Sequence, residues 1–220
     1  DVAESLKPWY RQMCKRPTFN DEFLPAFNRD NVTLVDVCDA KGVERITEKG
    51  VVVDGRELGV DCLIYASGFE VGTDYSRRAG FAIRGRAGQS LTAKWAGGTR
   101  TLHGMHVHGF PNCFLMSNAQ AGFTASYPHL LNEQAKHIAY ILGQAKERSA
   151  RTVEVTLEGE QEWVDTCIRR ARNTGDFFEN CTPGYYNNEG KPSERSAQDG
   201  FYGGGPVEYF GILAAWRASG

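Results

Sequence analysis

Hydrophobic and polar residues change their spacing several times along the 220-residue chain. Residues 1–31 hold one short helical piece, Glu4 to Cys14, and then a polar connector dotted with aromatics. From position 32 apolar residues recur every second position, the spacing of a half-buried strand. Val32 to Val37 reads as one strand and Gly42 to Thr47 as the next. Gly50 to Val53 and Arg56 to Leu58 flank Asp54-Gly55, a pair suited to a two-residue hairpin turn. Leu63 to Ala66 is apolar without alternation, as expected of a short strand covered on both faces. The pattern over 32–68 therefore predicts a β-meander feeding a buried central strand.

Residues 72–98 are rich in Gly and Arg, with a candidate strand at Phe81 to Arg84. His103 to His108 and Asn112 to Met116 are two more, separated by Gly109-Phe110-Pro111. The period then lengthens. Leu130, Leu131, Gln134, Ile138, Ile141 and Leu142 share one helical face, with Ser126 at the N-cap position and Pro128 just inside the start. This spacing predicts a helix over 127–147 that packs its Leu/Ile stripe on the sheet. A short strand (Thr152 to Leu157), a helix (Glu160 to Arg172), a loop-rich aromatic stretch (175–205) and a closing apolar helix (Pro206 to Ala218) complete the pattern. Together they predict an α/β chain of meander, central buried strands and packing helices.

Composition narrows the function classes. The chain is 41% hydrophobic and 24% charged, with 25 Lys plus Arg against 27 Asp plus Glu. That balance lacks the basic excess of a nucleic-acid binder. No apolar run approaches the roughly 18 residues of a membrane span, and no signal-peptide pattern is present. A cytoplasmic location with no membrane partner is the expectation. Cysteines at 14, 38, 62, 113, 167 and 181 form no Cys-x-x-Cys pair and sit mostly in apolar stretches. They are expected to be buried free thiols of a reducing compartment rather than disulfides or zinc ligands.

Candidate chemistry begins at Val60-Asp61-Cys62-Leu63-Ile64-Tyr65-Ala66-Ser67-Gly68-Phe69. Small residues at Ala66, Ser67 and Gly68 let a strand end turn closely past a cofactor, although a plain strand-ending turn has the same composition. No Gly-x-Gly-x-x-Gly opens a strand-helix unit, so the phosphate cradle that such a strand serves is expected outside this chain. The chain reads as the C-terminal part of a larger cofactor enzyme, and its start at Asp1 without Met is in keeping with that. Phe201-Tyr202-Gly203-Gly204-Gly205 lacks phosphate-loop spacing and reads as a tight turn. His103, His106 and His108 invite a zinc hypothesis. On a strand only 106 and 108 share a face, and no cysteine pair or carboxylate completes the set, so pocket or surface histidines are expected and no metal.

Several short motifs, in one order and spacing, carry a resemblance: Cys14-Lys15-Arg16-Pro17, Phe27-Asn28-Arg29-Asp30-Asn31-Val32, Asp61 to Phe69, Trp95 with Gly109-Phe110-Pro111-Asn112, Glu133-Gln134, Glu162-Trp163 and Gly190-Lys191-Pro192. They resemble the C-terminal half of the flavin-dependent Baeyer–Villiger monooxygenases. The resemblance implies a partial two-dinucleotide-binding-domain flavoprotein fold, with FAD and NADPH as cofactors. Residues 1–62 would be the tail of the NADPH-binding domain with a connector and meander. Residues 63–220 would be the C-terminal part of the FAD-binding domain with substrate-pocket loops.

The implied reaction inserts one atom of O₂ into a ketone, giving an ester or lactone. Arg16 matches the family's active-site arginine. A guanidinium stays protonated and offers several donors in a rigid fork, which suits an anionic oxidant in a dry site. The simpler alternative is a loop arginine paired with Asp21 or Glu22. Lys15 matches the lysine that contacts the NADPH 2′-phosphate, or is a solvated surface lysine. Ser67 stands where the family usually has Thr. Asn118 and Ala119 stand where it often has Gly-Pro beside the flavin ring. Pro128 falls where relatives contact flavin and substrate, and Tyr185 near a tryptophan that touches the nicotinamide. Two rivals remain: a flavin monooxygenase oxidising N or S centres, and a non-catalytic α/β binding module. Partners on the leading reading are a small ketone, O₂ and the missing N-terminal half, without which the piece should be inactive.

Overall fold

The computed structural model describes residues 2–8, 10–37, 42–68, 74–172, 175–181, 183–184, 190–191 and 194–220. Two compact units divide the chain, one of residues 1–71 with 180–190, the other of residues 72–179 with 191–220. The class is α/β, with a small antiparallel sheet and more helix than strand.

The first unit holds two single-turn helices, α1 (Val2–Ser5) and α2 (Phe23–Ala26), and strands β1 (Arg45–Ile46), β2 (Gly50–Val53) and β3 (Arg56–Gly59) in the order β1-β2-β3. Asp54 and Gly55 take φ of 49° and 70°, the left-handed pair that lets a two-residue turn follow the strand twist. The register follows, Val53 opposite Arg56 and Val51 opposite Leu58. All of β2 is buried, so the strand covered on both faces is this one.

Three expectations fail in this unit. The helix foreseen for Glu4 to Cys14 ends after Ser5, because Pro8 pushes its predecessor toward extended backbone and lacks an N–H. Val32 to Val37 and Leu63 to Ala66 form no ladder. Far from being covered on both faces, Ile64 is 82% exposed and Tyr65 73%. A strand exists through its neighbours, and neither run has one among the described residues.

The second unit opens with α3 (Tyr75–Ala79). The Asp74 carboxylate accepts the Ser76 N–H at 2.7 Å, and Gly80, at φ 74°, ends the helix. Helix α4 (Leu91–Lys94) starts at Ser90, whose hydroxyl accepts the Ala93 N–H at 3.1 Å. The strands expected at Phe81 to Arg84, His103 to His108 and Asn112 to Met116 shrink to isolated bridges, Arg84 with Ser90, Leu102 with His106 and His106 with Phe114. Thr152 to Leu157 forms no strand. Its end begins the next helix instead, since the Thr156 hydroxyl accepts the Gly159 N–H at 3.1 Å and acts as N-cap.

The helices supply the frame: α5 (Tyr127–Glu147), α6 (Leu157–Arg170), α7 (Gly175–Glu179), α8 (Ser196–Asp199) and α9 (Pro206–Ala218). Leu130 of α5, Trp163 and Cys167 of α6, and Tyr209 and Leu213 of α9 close on Met105, Ala121 and Tyr202 in one core. A second cluster joins Leu91, Val107, Phe110 and Leu115. Helix α5 thus packs against α9 and not on a sheet, and Leu142 is left 51% exposed. The Gly203 turn is tight for a specific reason: a Cβ there would collide with the Arg170 carbonyl oxygen.

With so few ladders, buried side chains satisfy the irregular backbone. Glu160 is fully buried. Its carboxylate accepts the His108 N–H at 2.8 Å and pairs with Lys94 Nζ at 3.0 Å and Arg100 Nε at 3.3 Å. Gln120, also fully buried, accepts from the Thr101 hydroxyl at 2.7 Å and donates to the carbonyls of Thr99 and Gln198 at 2.8 and 2.9 Å. Glu160→Ala leaves two part-buried cations and an amide without their acceptor. The expected loss is about 3–5 kcal/mol of unfolding free energy, read from urea denaturation beside Glu162→Ala, an exposed control.

Candidate active-site segments

In the first unit, Cys14-Lys15-Arg16-Pro17 lies in a loop without helix or strand. Met13 precedes it at φ 71°. Cys14 is buried and disulfide-bonded to Cys181. This corrects the expectation of free thiols throughout, and removes that premise for a reducing compartment. The pairing was hidden because it spans 167 residues of sequence, and cysteine connectivity is not readable from spacing alone. Cys62 is an exposed thiol, Cys113 half-buried and Cys167 buried, while Cys38 lies outside the described residues. Lys15 is half-buried and its ammonium donates to the Pro183 carbonyl at 2.5 Å. Arg16 is exposed.

Ala66, Ser67 and Gly68 are exposed as well, at the end of the bare apolar run that begins at Val60. Gly68 has φ 97°, in the region that a side chain disfavours. Tyr185 lies outside the described residues.

In the second unit, Ser117 and Asn118 line a hollow of about 300 Å³ together with Met116, Tyr75, Ala79 and Tyr127. Tyr127 opens α5, so the segment 116–119 and the first turn of that helix are brought together, with Pro128 in that turn. Gln134, one of the fully buried side chains, fixes the segment by donating to the Ser117 carbonyl at 2.7 Å. A helix of 21 residues with no acidic residue in its first turn presents a positive dipole end toward this hollow. Ala119 is half-buried beside it.

The histidines form a different constellation from the one expected. His108 Nδ1–H donates to the Val155 carbonyl at 2.9 Å. His103 and His106 turn inward and meet His137 of α5, with ring centroids 5.6 and 6.2 Å from it. All three are buried. Burial pushes His103 down to about 3, helped by the His137 and His106 charges. Burial likewise lowers His106 and His137 to about 4, the latter aided by His106 and Arg217. His103 Nδ1, His106 Nε2, His137 Nε2 and Gln134 Oε1 have no hydrogen-bond partner among the described residues. No group of three or more His, Cys, Asp or Glu suited to a metal occurs among them. Sequence reasoning missed His137, although polar Gln134 and His137 one turn apart on the apolar face of α5 were the available signal.

No family model matches the chain. Neopentalenolactone D synthase of Streptomyces avermitilis is 52% identical over 219 residues, covering 99% of this chain and 37% of that relative. A Baeyer–Villiger monooxygenase of Streptomyces coelicolor is 44% identical over 98% of this chain and 36% of its own length. Over nearly its whole length the chain is similar to part of proteins named Baeyer–Villiger monooxygenases. Among solved structures, a polycyclic ketone monooxygenase from the fungus Thermothelomyces thermophila superposes with a TM-score of 0.88 at 36% identity, over 99% of this chain and 35% of that one. Cyclohexanone monooxygenase from Rhodococcus sp. Phi1, solved with NADP+ bound, gives 0.77 at 30% identity, over 99% of this chain and 40% of that one. The chain thus spans little more than a third of the relatives that it matches. No helix among the described residues is long and apolar enough to cross a membrane.

The three buried histidines make stability depend on pH. Each is held neutral in the fold but takes a proton near pH 6.5 once unfolded, so the unfolded state binds more protons below that value. Stability is complete above pH 6.5 and declines as pH falls toward 4, by up to about 1.4 kcal/mol per pH unit for each histidine. Urea unfolding at pH 7 and pH 5 measures the slope, and His137→Gln should flatten it. Equal midpoints at the two pH values for the unsubstituted protein would contradict the assignment.

Proposed function

We propose that the chain is part of an FAD- and NADPH-dependent monooxygenase that inserts one oxygen atom into a ketone to give an ester or lactone. The observation that carries this reading is likeness over nearly the whole chain to a polycyclic ketone monooxygenase, at a TM-score of 0.88. The finer architecture, a partial two-dinucleotide-binding flavoprotein, belongs to the same proposal, with residues 1–62 closing the NADPH side and residues 63–220 the FAD side.

The residues present fit part of each cofactor. The hollow at 116–118, with the positive end of α5 beside it, suits the electron-rich edge of a flavin. Asn118 and Ala119 offer backbone contacts, and Pro128 fixes the first helical turn. No Gly-x-Gly-x-x-Gly stands in the sequence, so the pyrophosphates fall to other parts of the enzyme. Ala66, Ser67 and Gly68, bare here, suit a turn that passes close to cofactor backbone once flanked. Tyr185 remains a candidate nicotinamide contact on the resemblance alone.

When bound, reduced FAD supplies the activated oxygen. Lys15 offers a compact ammonium, one of whose three donors engages Pro183, to a terminal phosphate of NADPH. Arg16 holds a permanent positive charge where negative charge develops on oxygen as the ketone is attacked. Its pre-set donors need no reorganisation at that moment, provided that the rest of the enzyme covers the loop and excludes water.

A full-length enzyme carrying this chain, supplied with NADPH, O₂ and a cyclic ketone, should yield a lactone by gas chromatography and mass spectrometry. Arg16→Ala should cut lactone formation by about 10²-fold or more while FAD stays bound. Arg16→Lys should recover only part of it, since the charge returns without the fork. Sulfoxide from a thioether with no lactone from any ketone would favour the N- or S-oxidising rival. Undiminished lactone from Arg16→Ala would remove Arg16 from its role.

A further inference from the structure

Residues 14–15 are tied to residues 181–183 twice. Cys14 and Cys181, 3% and 8% exposed, are joined by the disulfide, with Cα atoms 5.3 Å apart. One position on, the Lys15 ammonium donates to the Pro183 carbonyl at 2.5 Å. Around these tethers, the described residues between Leu6 and Glu22 belong to no helix or strand. Such a stretch has no ladder to set its side chains and opens at low free-energy cost. The covalent tether sits one residue from Lys15 and two from Arg16.

We propose that Cys14 and Cys181 are positioning residues, and that their disulfide holds Lys15 and Arg16 in register for cofactor and substrate. The inference rests on the monooxygenase reading for the consequence to catalysis, and on geometry alone for the consequence to the loop. Oxygen insertion then runs efficiently in the disulfide form. In the dithiol form the loop is longer-leashed, NADPH binds less well, and more NADPH is consumed without product.

The interconversion is ordinary thiol–disulfide exchange with a small-molecule disulfide such as oxidised glutathione. One cysteine thiolate attacks it, forming a mixed disulfide and releasing one glutathione thiolate. The second cysteine thiolate attacks the mixed disulfide and releases another. The protein pair loses two electrons and two protons, and one glutathione disulfide becomes two thiols. Both sulfurs are buried, so exchange requires the loop to open, and the rate is expected to be slow.

Full-length enzyme is compared before and after dithiothreitol, with alkylation and mass spectrometry confirming that the 14 and 181 thiols appear. The expected result is a KM for NADPH raised about tenfold or more and less lactone per NADPH consumed, at unchanged FAD content and circular dichroism. Reoxidation by glutathione disulfide should restore both. Cys181→Ser should mimic the reduced enzyme and ignore reductant. Confirmed reduction that leaves the KM and the coupling ratio unchanged overturns the proposal.

Limited trypsin digestion supplies a readout independent of turnover, because the bond after Lys15 is cleavable and that after Arg16 is blocked by Pro17. Cleavage at Lys15 should accelerate about tenfold or more when the disulfide is reduced, and an unchanged rate would sink the positioning claim. Lactone absent in both redox states, with cleavage still redox-dependent, would instead refute the monooxygenase reading and leave the loop assignment standing.

Discussion

Buried polar side chains that stand in for a sheet set the architecture of the larger unit. Between Gly80 and Ser126 the chain forms one single-turn helix, one 3-10 turn and scattered bridges. Buried backbone amides and carbonyls there must nevertheless be paired. Glu160 and Gln120 provide that pairing from the inside. The first holds the 108 amide and two cations at the start of α6, and the second clasps the carbonyls at 99 and 198. A buried carboxylate is costly unless fully paired, and here three donors meet it. The Trp163 indole N–H donates to the Gln120 carbonyl at 3.1 Å, so the apolar core and the polar clasp share one anchor. The hollow at 116–118 inherits its shape from this arrangement, since Gln120 is two residues from Asn118 and Gln134 holds Ser117.

What the sequence made legible was local. Helices α5 and α9 appear over the expected residues because their spacing and Pro-led starts need no distant partner to be read. Asp54-Gly55 announced its hairpin through the φ values it tolerates. Helix α6 began three residues early because Thr156 was read as strand and not as cap. What failed was non-local. Val32 to Val37 and Leu63 to Ala66 have strand composition but no neighbours among the described residues, and composition does not create a ladder. The 103–116 region has strand-like residues held instead by bridges and buried polar groups. The disulfide and the meeting of His103 and His106 with His137 depend on contacts 30 to 170 residues apart, to which periodicity is blind.

Those non-local failures follow a consistent physical pattern. An apolar run such as Leu63-Ile64-Tyr65 left facing solvent is out of balance with a folded chain of ordinary composition. On the proposed reading the imbalance is resolved, because the chain covers 37% of its relative's length and a central strand requires flanking strands and helices on both sides. The family resemblance and the exposed run thus support one another. The motif residues 60–68 have strand composition without a ladder, and on the proposed reading the rest of the enzyme would supply their neighbours.

The candidate cations follow a different logic. Lys15 and Arg16 neighbour each other on a loop, where two like charges repel and long side chains lose rotamer freedom on being fixed. Holding them requires tethers that do not neutralise them. A carboxylate partner would supply order at the expense of the positive field, whereas a carbonyl orders an ammonium and leaves its formal charge intact. Pro183 does this for Lys15, and the buried Cys14 link fixes the backbone without adding any charge. Pro17 stiffens the far side of Arg16 by restricting its backbone. Order supplied by an uncharged carbonyl keeps the Lys15 ammonium charged, as the proposed contact with a cofactor phosphate requires.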